Sequence, residues 1–137
     1  MAKISFYLIE KKPLRQAELA CRLCQKIMPK HRIWLYFQDQ QQLEHYDSVL
    51  WNYEAANFLP HGIDQHLQPV CLSLHLPNIS FDVCFNLSSQ ALDVQQLPNS
   101  DIHIIEIIQN NEQDKQAGRN RFKYYRQLGY EPVIHRI

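Results

Sequence analysis

Glycine is scarce in this chain: Gly62, Gly118 and Gly129 are the only three among 137 residues. Neither a G-x-x-x-x-G-K-[ST] loop nor a G-x-G-x-x-G turn can be written with them, so no backbone cradle for a phosphate is encoded. The loop after the first apolar stretch, Glu10-Lys11-Lys12-Pro13, contains none. A nucleophile elbow would also need glycine, and no Ser/His/Asp set stands out. No catalytic residue is assigned, and the chain is expected not to be an enzyme.

Cysteine occurs four times, but not in a metal pattern. Cys21-x-x-Cys24 falls within an expected helix, on its apolar face, whereas a redox pair sits at a helix N-terminus where the dipole lowers the thiol pKa. Cys71 and Cys84 fall in expected strands, and no second close pair completes a zinc site. Four buried small apolar residues in a reducing compartment is the expectation. His61 and His66 have no carboxylate or thiolate fixed beside them by a recognisable pattern. No metal and no cofactor are expected. Long apolar runs are also missing, which excludes a membrane-spanning helix. The N-terminal alternation of Ile4, Phe6 and Leu8 runs straight into charge, unlike a secretory signal, so a cytoplasmic protein is expected.

Basic charge is absent over a long stretch. From Ile33 to Asp114 there is no Lys or Arg, while eleven Asp and Glu occur. Residues 1–32 hold eight Lys/Arg against Glu10 and Glu18, and residues 115–137 hold six against Glu131. The three segments carry +6, −11 and +5, so the formal net charge of zero hides a separation. Such blocks give a folded surface distinct basic and acidic regions. That suits a protein touching two different partners better than a general DNA coat.

What is present is an alternation of elements. Lys3 to Ile9 reads as a strand. Pro13 suits a helix first turn, and Leu14, Ala17, Ala20/Cys21, Cys24 and Ile27/Met28 recur at helical spacing before Pro29. Ile33 to Phe37 is a continuous apolar run, the mark of a strand covered on both faces. Asp39 is an N-cap for a second helix with Leu43, Tyr46, Val49/Leu50 and Trp51. Asn52 to Gln68 breaks the rhythm. Two strands separated by a turn, Val70–Leu76 and Phe81–Leu87, follow, then a short helix or loop over 88–100, a buried strand Ile102–Ile108, a helix, and a last strand that Pro132 pushes to an edge. This predicts one α/β domain over residues 1–137, in three layers around a mostly parallel sheet. It resembles nucleotide-binding folds without their phosphate loop.

The helix near the C-terminus holds the most informative stretch, Lys115 to Tyr130. Lys115, Arg119, Lys123 and Arg126 share one helical face, Phe122, Tyr125 and Leu128 form an apolar stripe, and Gly129 is the stop. A solvated basic face is the ordinary account of such a helix. A cationic row beside aromatic rings also suits an anion with an apolar part. A second use would be direct binding of single-stranded nucleic acid, with phosphates on the cations and bases stacked on the rings.

The run Arg119-x-Arg121-Phe122-Lys123-x-Tyr125-Arg126-x-x-Gly129-Tyr130 at the end of a short α/β chain resembles the chi subunit of bacterial DNA polymerase III holoenzyme. Ser5-Phe6-Tyr7-Leu8 is similar to that family's first strand, and Leu50-Trp51 followed by Phe58-Leu59-Pro60-His61 to its second distinctive block. The resemblance implies a non-catalytic accessory subunit of the clamp-loader complex in DNA replication, monomeric or paired with the psi subunit. It further implies that the subunit links psi to the acidic C-terminal tail of single-stranded DNA-binding protein and contacts DNA only indirectly. Carried over by position, the tail would fall on Lys115, Arg119, Phe122 and Lys123 with Ile108 as an apolar wall. Psi would fall on Trp51 and Phe58, with Pro60 and His61 shaping their loop. Phe122 stands where the family usually has tyrosine, keeping the ring without the hydroxyl. The chain is also shorter than better-known members, chiefly between Gly62 and Val83.

Overall fold

The computed structural model describes residues 2–11, 14–52 and 60–137. Strand β1 (Lys3–Leu8) leads through α1 (Gln16–Ile27) to β2 (Ile33–Phe37), and α2 (Gln40–Asn52) follows. Short β3 (His61–Ile63), β4 (Val70–Ser73) and β5 (Val83–Leu87) come next. A single 3-10 turn (Val94–Gln96) precedes β6 (His103–Ile108), then α3 (Glu112–Gln127) and β7 (Val133–Arg136). The strands form one seven-stranded sheet in the order β3-β4-β2-β5-β6-β1-β7. Every neighbouring pair is parallel.

Two apolar clusters, one on each face of the sheet, make the three layers. Ile33, Leu35, Phe37, Ile105 and Ile107 meet Ala17, Ala20 and Cys24 of α1 and Leu43, Tyr46 and Leu50 of α2. The alternate residues Ile4, Phe6, Trp34, Ile104 and Ile108 meet Tyr125 of α3 and Leu92, Val94 and Leu97. Strands apolar on both faces are what a parallel sheet covered by helices requires. Asp39 Oδ1 accepts from the Gln41 amide at 3.0 Å at the start of α2, which is the expected cap. Pro13 lies outside the described residues.

Several expectations change. Val70–Leu76 and Phe81–Leu87 are shorter as strands, and they are not neighbours across a turn: β2 lies between β4 and β5. The connection from Leu74 to Asp82 crosses a strand, which a turn-forming composition cannot reveal. Within the stretch read as a break, His61–Ile63 pairs with β4 as an edge strand. α3 begins before the basic run, at Glu112. Asn111 caps it by accepting from the Asp114 amide at 2.8 Å, and Glu112 and Asp114 lie in the first turn where the helix dipole favours negative charge. Leu128 is 45% exposed rather than part of the buried stripe, because the helix ends there and Gly129 turns the chain at φ 94°. Gly118, Arg121 and Tyr125 are the buried positions of α3. β7 is the predicted edge strand, and among the described residues it pairs with β1 alone.

All four cysteines are buried and free. Burial pushes the Cys21 thiol up to about 12 and that of Cys71 up to about 11, and it raises Cys24 and Cys84 as well. These are unreactive packing residues. No helix among the described residues is long and apolar enough to cross a membrane.

Candidate functional site

The chain leaves β1 toward α1 on one face of the sheet and leaves β6 toward α3 on the other. β1 and β6 are neighbours, so their diverging connections open a crevice at their carboxyl ends, where ligands of open parallel sheets bind. A pocket of about 500 Å³ lies there. Phe6 and Leu8 of β1, Ile108 of β6, Phe122 of α3 and Ile134 of β7 give it apolar walls. Lys115, Arg119 and Lys123 of α3 and Arg136 of β7 give it cations, and among the described residues Glu10 is the one acid in its lining.

Local structure explains this shape. A Cβ placed on Gly118 would come within 2.6 Å of Ile108 Cδ1, so glycine lets α3 lie close against the end of β6. Phe122 packs edge-on against Phe6, with ring centroids 5.4 Å apart at 64°. The cations are loosely held. Arg119 Nη1 donates to Gln116 Oε1 at 2.9 Å, Lys115 Nζ is 3.9 Å from Glu112, and Arg136 Nη1 is 3.6 Å from Glu10. Exposed pairs of this kind contribute little stability, which leaves the cations available to an anion.

Arg121, which lies among the α3 cations in sequence, faces the other way. Its Nε donates to Glu106 Oε1 at 2.9 Å in the interior. Asn86 Nδ2 and the Tyr125 hydroxyl each donate to Glu106 Oε2 at 2.7 Å. The same tyrosine oxygen accepts from the Leu92 amide at 3.0 Å. Burial holds the Glu106 carboxyl above its ordinary range, against the opposing pull of Arg121. This network fastens a helix with few apolar residues to the sheet, and it fixes which side of α3 turns to the pocket. Of the interleaved aromatic residues, Tyr124 is exposed, Tyr125 is buried, and Phe122 and Tyr130 are half-buried. A run of open rings for stacking bases is therefore not presented.

Trp51, at the end of α2, is 56% exposed. Its ring meets that of His61 edge-on at 4.9 Å. His61 is buried, with Nε2 3.1 Å from Asp47 Oδ1, and Pro60 is half-buried beside it. Phe58 lies outside the described residues. Among the described residues, no three His, Cys, Asp or Glu side chains converge as metal ligands.

The model of the DNA polymerase III chi subunit family, HolC, matches residues 1–133. The chain belongs to this family. The chi-family setting is DNA replication, and membership places the chain with the DNA polymerase III complex as an accessory subunit. The chain is 29% identical to DNA polymerase III subunit chi of Pseudomonas aeruginosa, over all of its own length and 98% of that relative. Among solved structures it is similar to T4 UvsW, with a TM-score of 0.69 and 9% identity. That likeness covers 99% of this chain and 41% of the other, and it shows the fold alone.

In this chi-family chain, Lys115, Arg119, Phe122, Lys123 and Ile108 come together in the one pocket. Trp51, Pro60 and His61 gather elsewhere, around the end of α2 and β3. The sequence missed Phe6, Leu8, Glu10, Ile134 and Arg136 as pocket residues, since nothing in it says that β7 returns beside β1. It also missed Glu106. A lone carboxylate within the apolar run His103–Ile108 was the available signal, because a charge on a strand covered on both faces needs a partner.

Proposed function

We propose that the chain is a non-catalytic bridge within the clamp-loader complex. It binds the acidic C-terminal tail of single-stranded DNA-binding protein in the β1–β6–α3 pocket, and it binds the psi subunit around Trp51. The observation that carries this reading is the pocket itself, an apolar floor ringed by four cations. A peptide ending in an apolar residue with a free carboxylate, preceded by acidic residues, matches each part. Phe122 and Ile108 receive the terminal side chain. Arg119 binds the carboxylate, since a guanidinium pairs with it through two hydrogen bonds. Lys115 and Lys123 form the rim for the preceding acids. Ordering a disordered tail costs free energy, so affinity is modest and falls as salt rises. The lack of a glycine loop supports a role without nucleotide chemistry. Around Trp51, an exposed indole seated on a buried histidine is the kind of rigid aromatic that anchors an interface.

Titration of the full chain with the tail peptide, with and without its terminal residue, tests the pocket. Arg119→Ala should weaken binding about ten- to a hundredfold, the worth of one charge-assisted contact of about 1.5–3 kcal/mol. Arg119→Glu should weaken it further while the fold is kept. If Arg119→Glu binds as tightly as the unmodified chain, the tail binds elsewhere.

A further inference from the structure

β7 ends the sheet: it pairs with β1 on one side, and among the described residues no strand pairs with its other side. All four of its residues are exposed. Ile137, just beyond, shows which main-chain groups face inward. Its amide donates to Leu8 O at 2.9 Å, and its carbonyl accepts from the Glu10 amide at 2.8 Å. Main-chain groups of a strand alternate between its two edges. Those of Val133 and His135 therefore also turn to β1, and those of Ile134 and Arg136 point out to solvent. The side chains of the same two residues line the pocket. A chain lying along this edge would meet free amides and carbonyls while staying beside the pocket's cations.

Edges of this kind are usually guarded by charge, proline or brevity. β7 is short and Pro132 precedes it, yet Val133 and Ile134 are 53% and 45% exposed, and the outward amides of Ile134 and Arg136 lie after the proline. We propose that β7 takes up the partner peptide as an eighth strand. The segment preceding the peptide's terminal residue pairs its main chain with Ile134 and Arg136 while the terminal residue fills the pocket. This rests on the reading of the pocket as a peptide site. Charge selects the occupant: Lys115, Arg119, Lys123 and Arg136 line the adjoining wall, and the single acid, Glu10, sits 3.6 Å from Arg136. An acidic strand is attracted there. A second copy of β7 would bring its own Arg136 and α3 cations against these and be repelled. Main-chain pairing reads shape and not side chains, so the acidic segment can vary in sequence provided it is extended and anionic.

The experiment uses the full chain and a synthetic acidic peptide ending in phenylalanine with a free carboxylate. Amide hydrogen exchange read by NMR should slow at Ile134 and Arg136 on binding, together with shifts at Arg119 and Phe122. Arg136→Pro and Arg136→Ala lose the same charge, but only Arg136→Pro loses the outward amide. Proline on that side of an edge leaves the β1 ladder intact. R136P should therefore bind about two- to tenfold more weakly than R136A, the worth of one main-chain hydrogen bond. If α3 signals shift while the Ile134 and Arg136 amides exchange as before, and R136P equals R136A, the eighth strand is wrong and the pocket reading stands. Slowed exchange without any change at α3 would overturn the pocket reading and, with it, the proposal, leaving only a peptide contact at the edge. No response at either place overturns both. Slowing that depends on protein concentration without peptide would assign the edge to a second copy and overturn the proposal.

Discussion

Arg121→Met should destabilise the chain strongly, and by an amount that depends on pH. Methionine keeps the apolar stem and removes the charge. Glu106, fully buried, is then left with Asn86 and Tyr125 as neutral donors and no countercharge. Breaking one side of a buried pair costs about 3–5 kcal/mol, a large share of a domain's net stability. Protonation is the escape. Burial already raises the Glu106 pKa and Arg121 is the largest influence holding it down, so in R121M it rises further. A carboxyl whose folded pKa exceeds its unfolded value of about 4.3 contributes fully below that value and loses its contribution as pH climbs to the folded pKa. The deficit of R121M should therefore be smallest near the unfolded pKa. It should grow toward neutral pH at up to about 1.4 kcal/mol per pH unit. Glu106→Leu combined with R121M removes both charges and should recover most of the loss. Urea unfolding followed by circular dichroism, at pH values from about 5 to 8, gives the differences directly when m is unchanged. A deficit independent of pH, with a double variant as weak as R121M, would refute the argument and leave Arg121 a packing residue.

Gly118→Ala should change stability by less than about 1 kcal/mol, since better helix propensity offsets the 2.6 Å approach to Ile108 Cδ1. Ile108 must turn into the pocket to make room, so tail-peptide affinity should fall; unchanged affinity would mean that the pocket floor does not hold the peptide. His103 Nε2 lies 2.7 Å from Ser5 Oγ, and burial, with Lys3, His135 and His31 nearby, holds its pKa below the ordinary histidine value. Its contribution to stability is full above about pH 6.5 and is lost as pH falls through the folded pKa. His103→Asn should therefore flatten the fall in Tm on acidification, and an unchanged slope would assign the acid sensitivity to other groups.

Element identity was legible where periodicity was strong and both faces were apolar. Ile33–Phe37 and Ile102–Ile108 could be read as covered strands because such runs have one plausible home in an α/β layer. Strand order was not legible. The separation of β4 from β5 by β2 depends on contacts between segments far apart in sequence, and local turn composition is blind to it. Helical spacing, which is local, could group Lys115, Arg119 and Lys123 with Arg126 on one face, and the family resemblance joined Phe122 to the first three. Phe6, Leu8, Ile134 and Arg136, which enclose the other sides of the pocket, could not be joined to them. Arg121 shows a different limit. Charge count places it with its neighbours, but its position on the helix turns it inward, and only the carboxylate of Glu106 makes that tolerable.

Part of the charge segregation along the sequence becomes a segregation in space because of one pairing. β1 lies between β6 and β7, so Lys3 and Lys11 meet the basic last segment at one edge of the sheet. The other described cations of the first segment ride on or beside α1, which packs on α2 and β6, except Arg32, which donates to the His66 carbonyl near β3. The segment without Lys or Arg supplies the centre and the opposite edge, where β3 lies beneath Trp51. Seven strands set these edges about 29 Å apart, from a spacing of about 4.8 Å. That is several times the screening length of about 8 Å at physiological ionic strength. Each edge therefore presents its own field to an approaching partner, with little cancellation from the other. On the proposed reading, an acidic peptide is drawn to the β7 edge, where Lys115, Arg119, Lys123 and Arg136 line the pocket, and a partner docking around Trp51 lies outside the reach of that field. Under the bridging function proposed above, the two partners need no device to avoid competing for one site. The order of strands, with its two unlike edges, keeps them apart.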